Sequence, residues 1–453
     1  MKLTLIYPAV GRKPGRPYVR SWQMEPLSMA VLAGLTPPEI EIRFYDDRLE
    51  EIPYDEPTGL VAISVETFTA LRAYRIARQF RARGVPVVLG GYHVTLIPEE
   101  AALEADAIVV GDAEPVWQRL LDDARRGKLE PVYRGETPRP LAGLRPRRDL
   151  FQRKDYQRIG LVESTRGCPF QCDFCSIAAF HRARANRRPP REVAAEMDAC
   201  GHRWFFLVDD NLAAHPDWAR DLCRELAPLR LRWIGQIGLH AARDDRLLEV
   251  MVAGGCRGVL VGMESLEPAN LEEMGKSWNL AAEGYAQSLD RLRRHGLAVY
   301  GTFLFGYDHD DEETIQRSVD FARRQKLFLA AFNHLVPFPG TPLYRRLEQQ
   351  GRLLTPKWWL DAEGRVGDVV FRPRKMSPEQ LARRCLEARR EFYSWRSILG
   401  RMGDLKVNAS SLPTLATFLA LNLGSRGDVD LRQGLQLGAG HWKREPLDEP
   451  VPA

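Results

Sequence analysis

Three cysteines fall within one short run, Gly167-Cys168-Pro169-Phe170-Gln171-Cys172-Asp173-Phe174-Cys175, in a Cys-x3-Cys-x2-Cys spacing. A 4Fe-4S cubane normally takes four protein thiolates, one at each iron. Three thiolates in a tight loop leave one iron open, and an open iron can hold a substrate or cofactor. Structural zinc is the competing reading; it needs a fourth protein ligand, for which Cys200 or His181 is available. Disulfides fit poorly, because seven cysteines in 453 residues with no recognisable leader indicate a reducing, cytoplasmic setting. Cys200, Cys223, Cys256 and Cys385 are scattered singly and read as core residues.

The loop resembles the cluster-binding signature of the radical S-adenosylmethionine (SAM) superfamily. Cys168, Cys172 and Cys175 match its metal-ligand positions, and Phe174 matches the aromatic residue that usually precedes the third cysteine. The resemblance implies that SAM is chelated at the open iron and cleaved by one electron to a 5'-deoxyadenosyl radical. It also implies an electron donor such as flavodoxin or ferredoxin.

A chain of this length suggests two or three domains. Its apolar fraction of 44% and charged fraction of 28% are those of a soluble globular protein. The net charge of +5 is spread among acidic neighbours, so nucleic-acid binding has no compositional support. Met1 to Pro8 reads as a first strand and not as a leader. No stretch approaches the roughly 20 apolar residues of a membrane span. The run from Leu412 to Leu423, broken by Pro413, Thr414, Thr417 and Asn422, reads as a core helix, with shallow membrane contact left open.

Residues 1–135 alternate short apolar runs (Leu3 to Tyr7, Ile40 to Tyr45, Leu60 to Val65, Val85 to Leu89, Ala107 to Val110) with helical patterns. That rhythm predicts a doubly wound, Rossmann-like parallel sheet with a ligand site at the carboxyl ends of its strands. Ser64, Glu66, Thr67, Gly90, Gly91, His93, Gly111 and Glu114 fall at those ends. No Gly-x-Gly-x-x-Gly follows the first strand, which weighs against a dinucleotide. The set is similar to the cobalamin-binding domain that precedes the radical SAM domain in one large subgroup, which makes those eight residues candidates for binding cobalamin. The Asp-x-His-x-x-Gly motif that supplies a histidine to cobalt in many cobalamin proteins is missing. His93 therefore reads as a hydrogen-bonding residue of its loop. The segment holds no cysteine, which argues against the methylthiotransferases of the same superfamily.

A linker, 136–159, leads to six further strand-like runs within 160–350, the number a partial (β/α)6 TIM-like barrel requires, with the cysteine loop after the first of them. Barrel chemistry lies at carboxyl strand ends, where Asp209, Asp210, Asn211, Gln236, Glu264, Gly306 and His334 fall. With Phe174, the residues Asn211, Gln236, Glu264 and Gly306 are the candidate SAM contacts, and Arg188 sits where the superfamily often places an arginine. Residues 351–453 read as a mainly helical region, with a long helix from Leu381 to Leu399 carrying core aromatics Phe392, Tyr393 and Trp395.

The resemblance implies a cobalamin-dependent radical SAM methyltransferase, passing methyl from methylcobalamin to an unactivated carbon of a secondary-metabolite or lipid substrate. A cyclase or rearrangement enzyme without net methylation is the alternative within the architecture. A non-catalytic cobalamin or iron-sulfur carrier or sensor is the alternative of another class.

Overall fold

Strands buried on both faces and helices with one apolar stripe are the material of layered parallel sheets. The computed structural model describes residues 1–13, 15–136, 141–280 and 284–439. Among these, the first sheet is built from β1 (Lys2–Tyr7), β2 (Glu41–Asp46), β3 (Leu60–Ser64), β4 (Val87–Gly90), β5 (Ala107–Gly111) and β6 (Val132–Gly135). All pairs are parallel, in the order β2-β1-β3-β4-β5-β6. The order reverses between β1 and β3, so their carboxyl ends flank the crevice where such sheets hold ligands. β6 escapes the sequence reading because it is a four-residue edge strand with little apolar signal.

The helix Ala70–Arg81 buries Ala73, Ile76, Ala77 and Phe80 against this sheet. From the same helix Arg72 reaches Asp47, just past β2, with an N–O distance of 2.9 Å and both side chains almost inaccessible.

β7 (Gly160–Val162) opens the second sheet, and a short antiparallel ribbon of β8 (Thr165–Arg166) and β9 (Asn186–Arg187) brackets the cysteine loop. β10 (Trp204–Leu207), β11 (Arg232–Ile237), β12 (Cys256–Glu264), β13 (Ala298–Phe305) and β14 (Leu329–His334) follow. The order β14-β13-β12-β11-β10-β7 is sequential and parallel, as a partial barrel needs. Alternate residues of β13 are buried, Val299, Gly301, Phe303 and Phe305 facing the helices while Tyr300, Thr302 and Leu304 face the concave side.

The carboxyl-terminal region is mainly helical, as expected, and departs from the sequence reading in three details. Residues 353–376 are largely irregular, with one short turn at Trp358–Leu360. Trp358 and Trp359 pack with Tyr74, Phe80 and Val94 on the first sheet, and Trp359 donates to Glu100 at 2.9 Å. The expected long helix is two: Pro378–Phe392, capped by Ser377, and Trp395–Met402, capped by Ser394. The break turns Trp395 outward, 54% exposed, while Phe392 and Tyr393 remain buried. The helix Leu412–Arg432 is not a core helix either. It buries Phe418 and Asn422 but leaves Leu412, Leu421 and Leu423 exposed. Among the described residues no helix is long and apolar enough to cross a membrane.

Burial alone would raise the Asp47 carboxyl, but Arg72, with the Ala9 N–H, outweighs it and holds the pKa below its ordinary value. Arg72→Met therefore strands a buried carboxylate and is expected to lower unfolding stability by about 3–5 kcal/mol in urea denaturation. Arg72→Met with Asp47→Asn is expected to recover most of that loss. The stabilisation is present above the unfolded carboxyl pKa of about 3.9 and is lost as pH falls through the depressed folded value.

Candidate active site

The cysteine loop is shaped by carboxylates from the next strand. Asp209 accepts from the Ser164 and Thr165 N–H groups, each at 2.7 Å, and from the Ser164 hydroxyl. Asp210 accepts from the Gly167 N–H at 2.7 Å, and Asn211 places its amide 4.0 Å from Cys168 Sγ. On the far side Asp173 accepts from Tyr307 at 2.5 Å and pairs with Arg346 at 2.8 Å. Both flanks of the loop are thus fixed by polar contacts with neighbouring elements.

The three thiols are gathered closely enough to feel one another. Burial pushes Cys172 up to about 12, with Cys175, Glu264 and Cys168 adding and Lys276 opposing. Burial likewise pushes Cys175 up to about 11 and raises Cys168. Neither proposed fourth zinc ligand joins them. Cys200 lies among Arg148, Glu196 and Glu25. His181 faces Tyr92, its Nε2 3.5 Å from the hydroxyl, and burial lowers it to about 4. Among the described residues no three His, Cys, Asp or Glu side chains converge on one ion position. A cubane instead takes each thiolate at a separate iron, and three thiols beside one ammonium fit that group. Cys223, Cys256 and Cys385 are buried core residues, as expected, whereas Cys200 is half-buried.

Above the loop lies a cavity of about 1410 Å³ whose wall takes residues from the carboxyl ends of both sheets. Typical small-molecule pockets run from about 300 to 1,000 Å³, so this one has room for more than one bulky group. Ser64, Glu66, Gly90, Gly91, Gly111 and Glu114 line it from the first sheet, and Phe174, Gln236 and Glu264 from the second.

The chain matches the family model described as the radical SAM superfamily over residues 162–322. It is 30% identical over 396 residues to the bacteriochlorophyllide d C-12(1)-methyltransferase of Chlorobaculum tepidum, covering 84% of this chain and 86% of that one. The chain belongs to the radical SAM superfamily. It is also 26% identical to the hopanoid C-2 methylase of Rhodopseudomonas palustris, over 73% of this chain and 66% of the relative. Among solved structures its fold resembles TsrM from Kitasatospora setae, a radical SAM methyltransferase solved with cobalamin and a 4Fe-4S cluster (TM-score 0.60, 19% identity, 77% of this chain, 75% of that one). It also resembles OxsB, a cobalamin-dependent radical enzyme (TM-score 0.59, 11% identity, 95% and 80%).

This radical SAM chain places several of the expected contacts behind the cavity wall. His93 is fully buried, with Nδ1 3.3 Å from the Thr67 hydroxyl and Nε2 3.3 Å from Glu100. Thr67 and His93 thus support the wall and do not form it. Gly306, at φ +117°, lies under the carboxyl-terminal region, where a Cβ would come 2.7 Å from Phe371. Its glycine serves that close approach. Arg188 is buried against Glu196 at 2.6 Å and the Glu163 carbonyl at 2.9 Å, a structural clamp away from the cavity lining.

Three contributors escape the sequence reading. Lys276 donates to Glu264 at 2.6 Å, and Glu264 itself adopts φ +62°, a costly conformation for a residue with a side chain. A register shift between Gly262 and Glu264 marks the same point in β12. Arg166 bridges Asp112 at 3.0 Å, Glu114 at 2.9 Å and Glu163 at 2.7 Å, joining the two sheets. Tyr92, from the first sheet's side, packs 4.6 Å from Phe180 on the helix after Cys175. The partner of each is brought by the fold from a distant or oppositely facing segment.

Asp209→Ala removes the acceptor for two backbone donors. It is expected to lower stability by about 2–3 kcal/mol and to reduce iron and sulfide bound per chain after anaerobic reconstitution, whereas Asp209→Asn, which keeps one acceptor oxygen, is expected to lose less of both.

Proposed function

We propose that the chain is a C-methyltransferase acting on an unactivated carbon of an apolar small molecule, with residues 1–135 holding cobalamin and residues 160–350 holding the cluster and SAM. The observation that carries this reading is one cavity walled by the carboxyl ends of both sheets and reached from the cysteine loop by Phe174. The methyltransferase relatives, matched over most of their length, support it. When bound, the cluster and SAM supply a carbon-centred radical, and cobalamin supplies a transferable methyl group.

The chain's own residues orient and shield. Ser64, Glu66, Gly90, Gly91, Gly111 and Glu114 line the side of the cavity where cobalamin would be held, and His93 is already bonded on both ring nitrogens. Glu264 and Lys276 form a pair that opens to a zwitterion, the carboxylate taking the ammonium of SAM and the lysine its carboxylate. Gln236, which donates to the Asp210 carbonyl at 3.1 Å, keeps its oxygen for the nucleoside. Asn211 steadies Cys168 from behind. A one-electron protein donor supplies the reductant.

Lys276→Met and Glu264→Gln are each expected to weaken SAM binding about tenfold, the effect of losing one charge-assisted hydrogen bond. Equilibrium dialysis of the reconstituted protein measures it.

The function is tested by anaerobic reconstitution with iron, sulfide and hydroxocobalamin, followed by reduction with SAM and a candidate acceptor. Methyl transfer predicts 5'-deoxyadenosine together with S-adenosylhomocysteine, and Cys172→Ala is expected to abolish the deoxyadenosine. Deoxyadenosine alone would move the reading to cyclisation or rearrangement, the activity named for anaerobic magnesium-protoporphyrin IX monomethyl ester cyclase, a relative 24% identical to this chain. Cleavage unchanged in Cys172→Ala would overturn the radical reading.

A further inference from the structure

The cavity carries a second polar patch, built from elements that hold neither the cysteine loop nor the first sheet. Arg389, on the helix Pro378–Phe392, and Arg432, at the end of the helix Leu412–Arg432, both line it. Arg389 donates Nη2 to the Gln433 side-chain oxygen at 3.2 Å, and its Nε is buried without an acceptor. Among the described residues no carboxylate pairs with Arg389. Burial, with Arg432 and Arg390 nearby, lowers its pKa.

Arg432 is only loosely compensated. It stands 3.7 Å from Asp428, donates to the Ser21 hydroxyl, and leaves its own Nε without an acceptor. Its guanidinium also lies 5.3 Å from the Trp22 ring.

Two other arginines of the same wall are saturated, Arg48 by Asp46 at 2.6 Å and Arg166 by three carboxylates. The contrast singles out Arg389. Arg389 is half-buried with its Nε out of reach of water, and a cation drawn partly out of water without a counter-ion is costly enough that proteins normally pair it.

Its surroundings suit an anion. His334 donates Nδ1–H to the Leu335 carbonyl at 2.9 Å, since a carbonyl can only accept. Burial, reinforced by Arg389, lowers His334 to about 4, so it adds no competing charge at neutral pH. Asn333 lines the same wall and can donate, while Leu27, Val31, Leu304 and Val336 supply apolar surface.

We infer that the methyl acceptor is an acid: an apolar small molecule whose carboxylate is taken by Arg389 and Arg432 while its hydrocarbon body lies along the cavity. This rests on the cavity being the substrate chamber proposed above. Two guanidiniums provide the fork geometry that matches a carboxylate.

The test is equilibrium dialysis of the full chain, reconstituted with cluster and cobalamin, against 1-pyrenebutyrate and against its methyl ester, which share one apolar body and differ in charge. The acid is expected to bind at least tenfold more tightly than the ester. Arg389→Gln is expected to bring the acid to the level of the ester, Arg389→Lys to retain part of the preference, and Arg432→Gln to reduce it. Retained ester binding shows that each variant is folded. Equal affinity for acid and ester in the unaltered chain, or an acid preference that survives both Arg389→Gln and Arg432→Gln, would overturn the inference. The dialysis uses neither SAM nor reductant, so its outcome is separate from whether deoxyadenosine and S-adenosylhomocysteine form.

Discussion

Arg166 holds the carboxyl ends of two sheets against each other. It leaves the ribbon just before Gly167 and Cys168 and reaches Asp112 and Glu114 at the end of β5 and Glu163 at the end of β7. Desolvation works against its charge, yet three carboxylates outweigh it and hold its pKa well above the ordinary value. The cavity exists only because those strand ends face one another. The cysteine loop, joined covalently to Arg166, is therefore registered to the first sheet as well as to its own.

Other acids at the strand ends do similar work. Burial raises Asp209 to about 7 and Asp310 to about 7. Perturbed carboxyls in a cleft are common signs of acid-base catalysis. Here their oxygens are already occupied, Asp209 by the Ser164 and Thr165 donors and Asp310 by the Gly306 and Tyr307 N–H groups with Asn270. Their shifts reflect how deeply the loops are tied down. Glu264, backed by Lys276, and Arg389 with Arg432 line the open volume with bonding capacity left over.

Both sheets were legible in sequence because each inner strand is a short apolar run, buried on both faces in the first sheet and on alternate residues in the second, bounded by glycine, proline or acidic residues. The cluster cysteines were legible because their spacing is local. Lys276 was not, since it stands 12 positions after Glu264 and their pairing depends on the turn taken between them. Thr67 and His93 stand among the right residues but face backward, a matter of loop orientation that alternation does not encode. The helix break at Ser394 was hidden because apolar spacing continues through it, and only the Ser394 cap on Ser397 N–H reveals a second helix. That Arg389 has no carboxylate partner among the described residues is likewise hidden in a helix whose sequence mixes acids and bases.

The cavity wall is completed by segments far apart along the chain. Residues 433–438 pair with 364–366, and the Gly438 N–H donates to the Val10 carbonyl at 2.9 Å while Arg75 donates to the Gly438 carbonyl at 2.8 Å. A polypeptide emerges from the ribosome amino end first, and its domains generally fold as they emerge. Both sheets are therefore synthesised before this strap. The last-made stretch of the described chain is thus the one that ties the two ends of the cavity wall together.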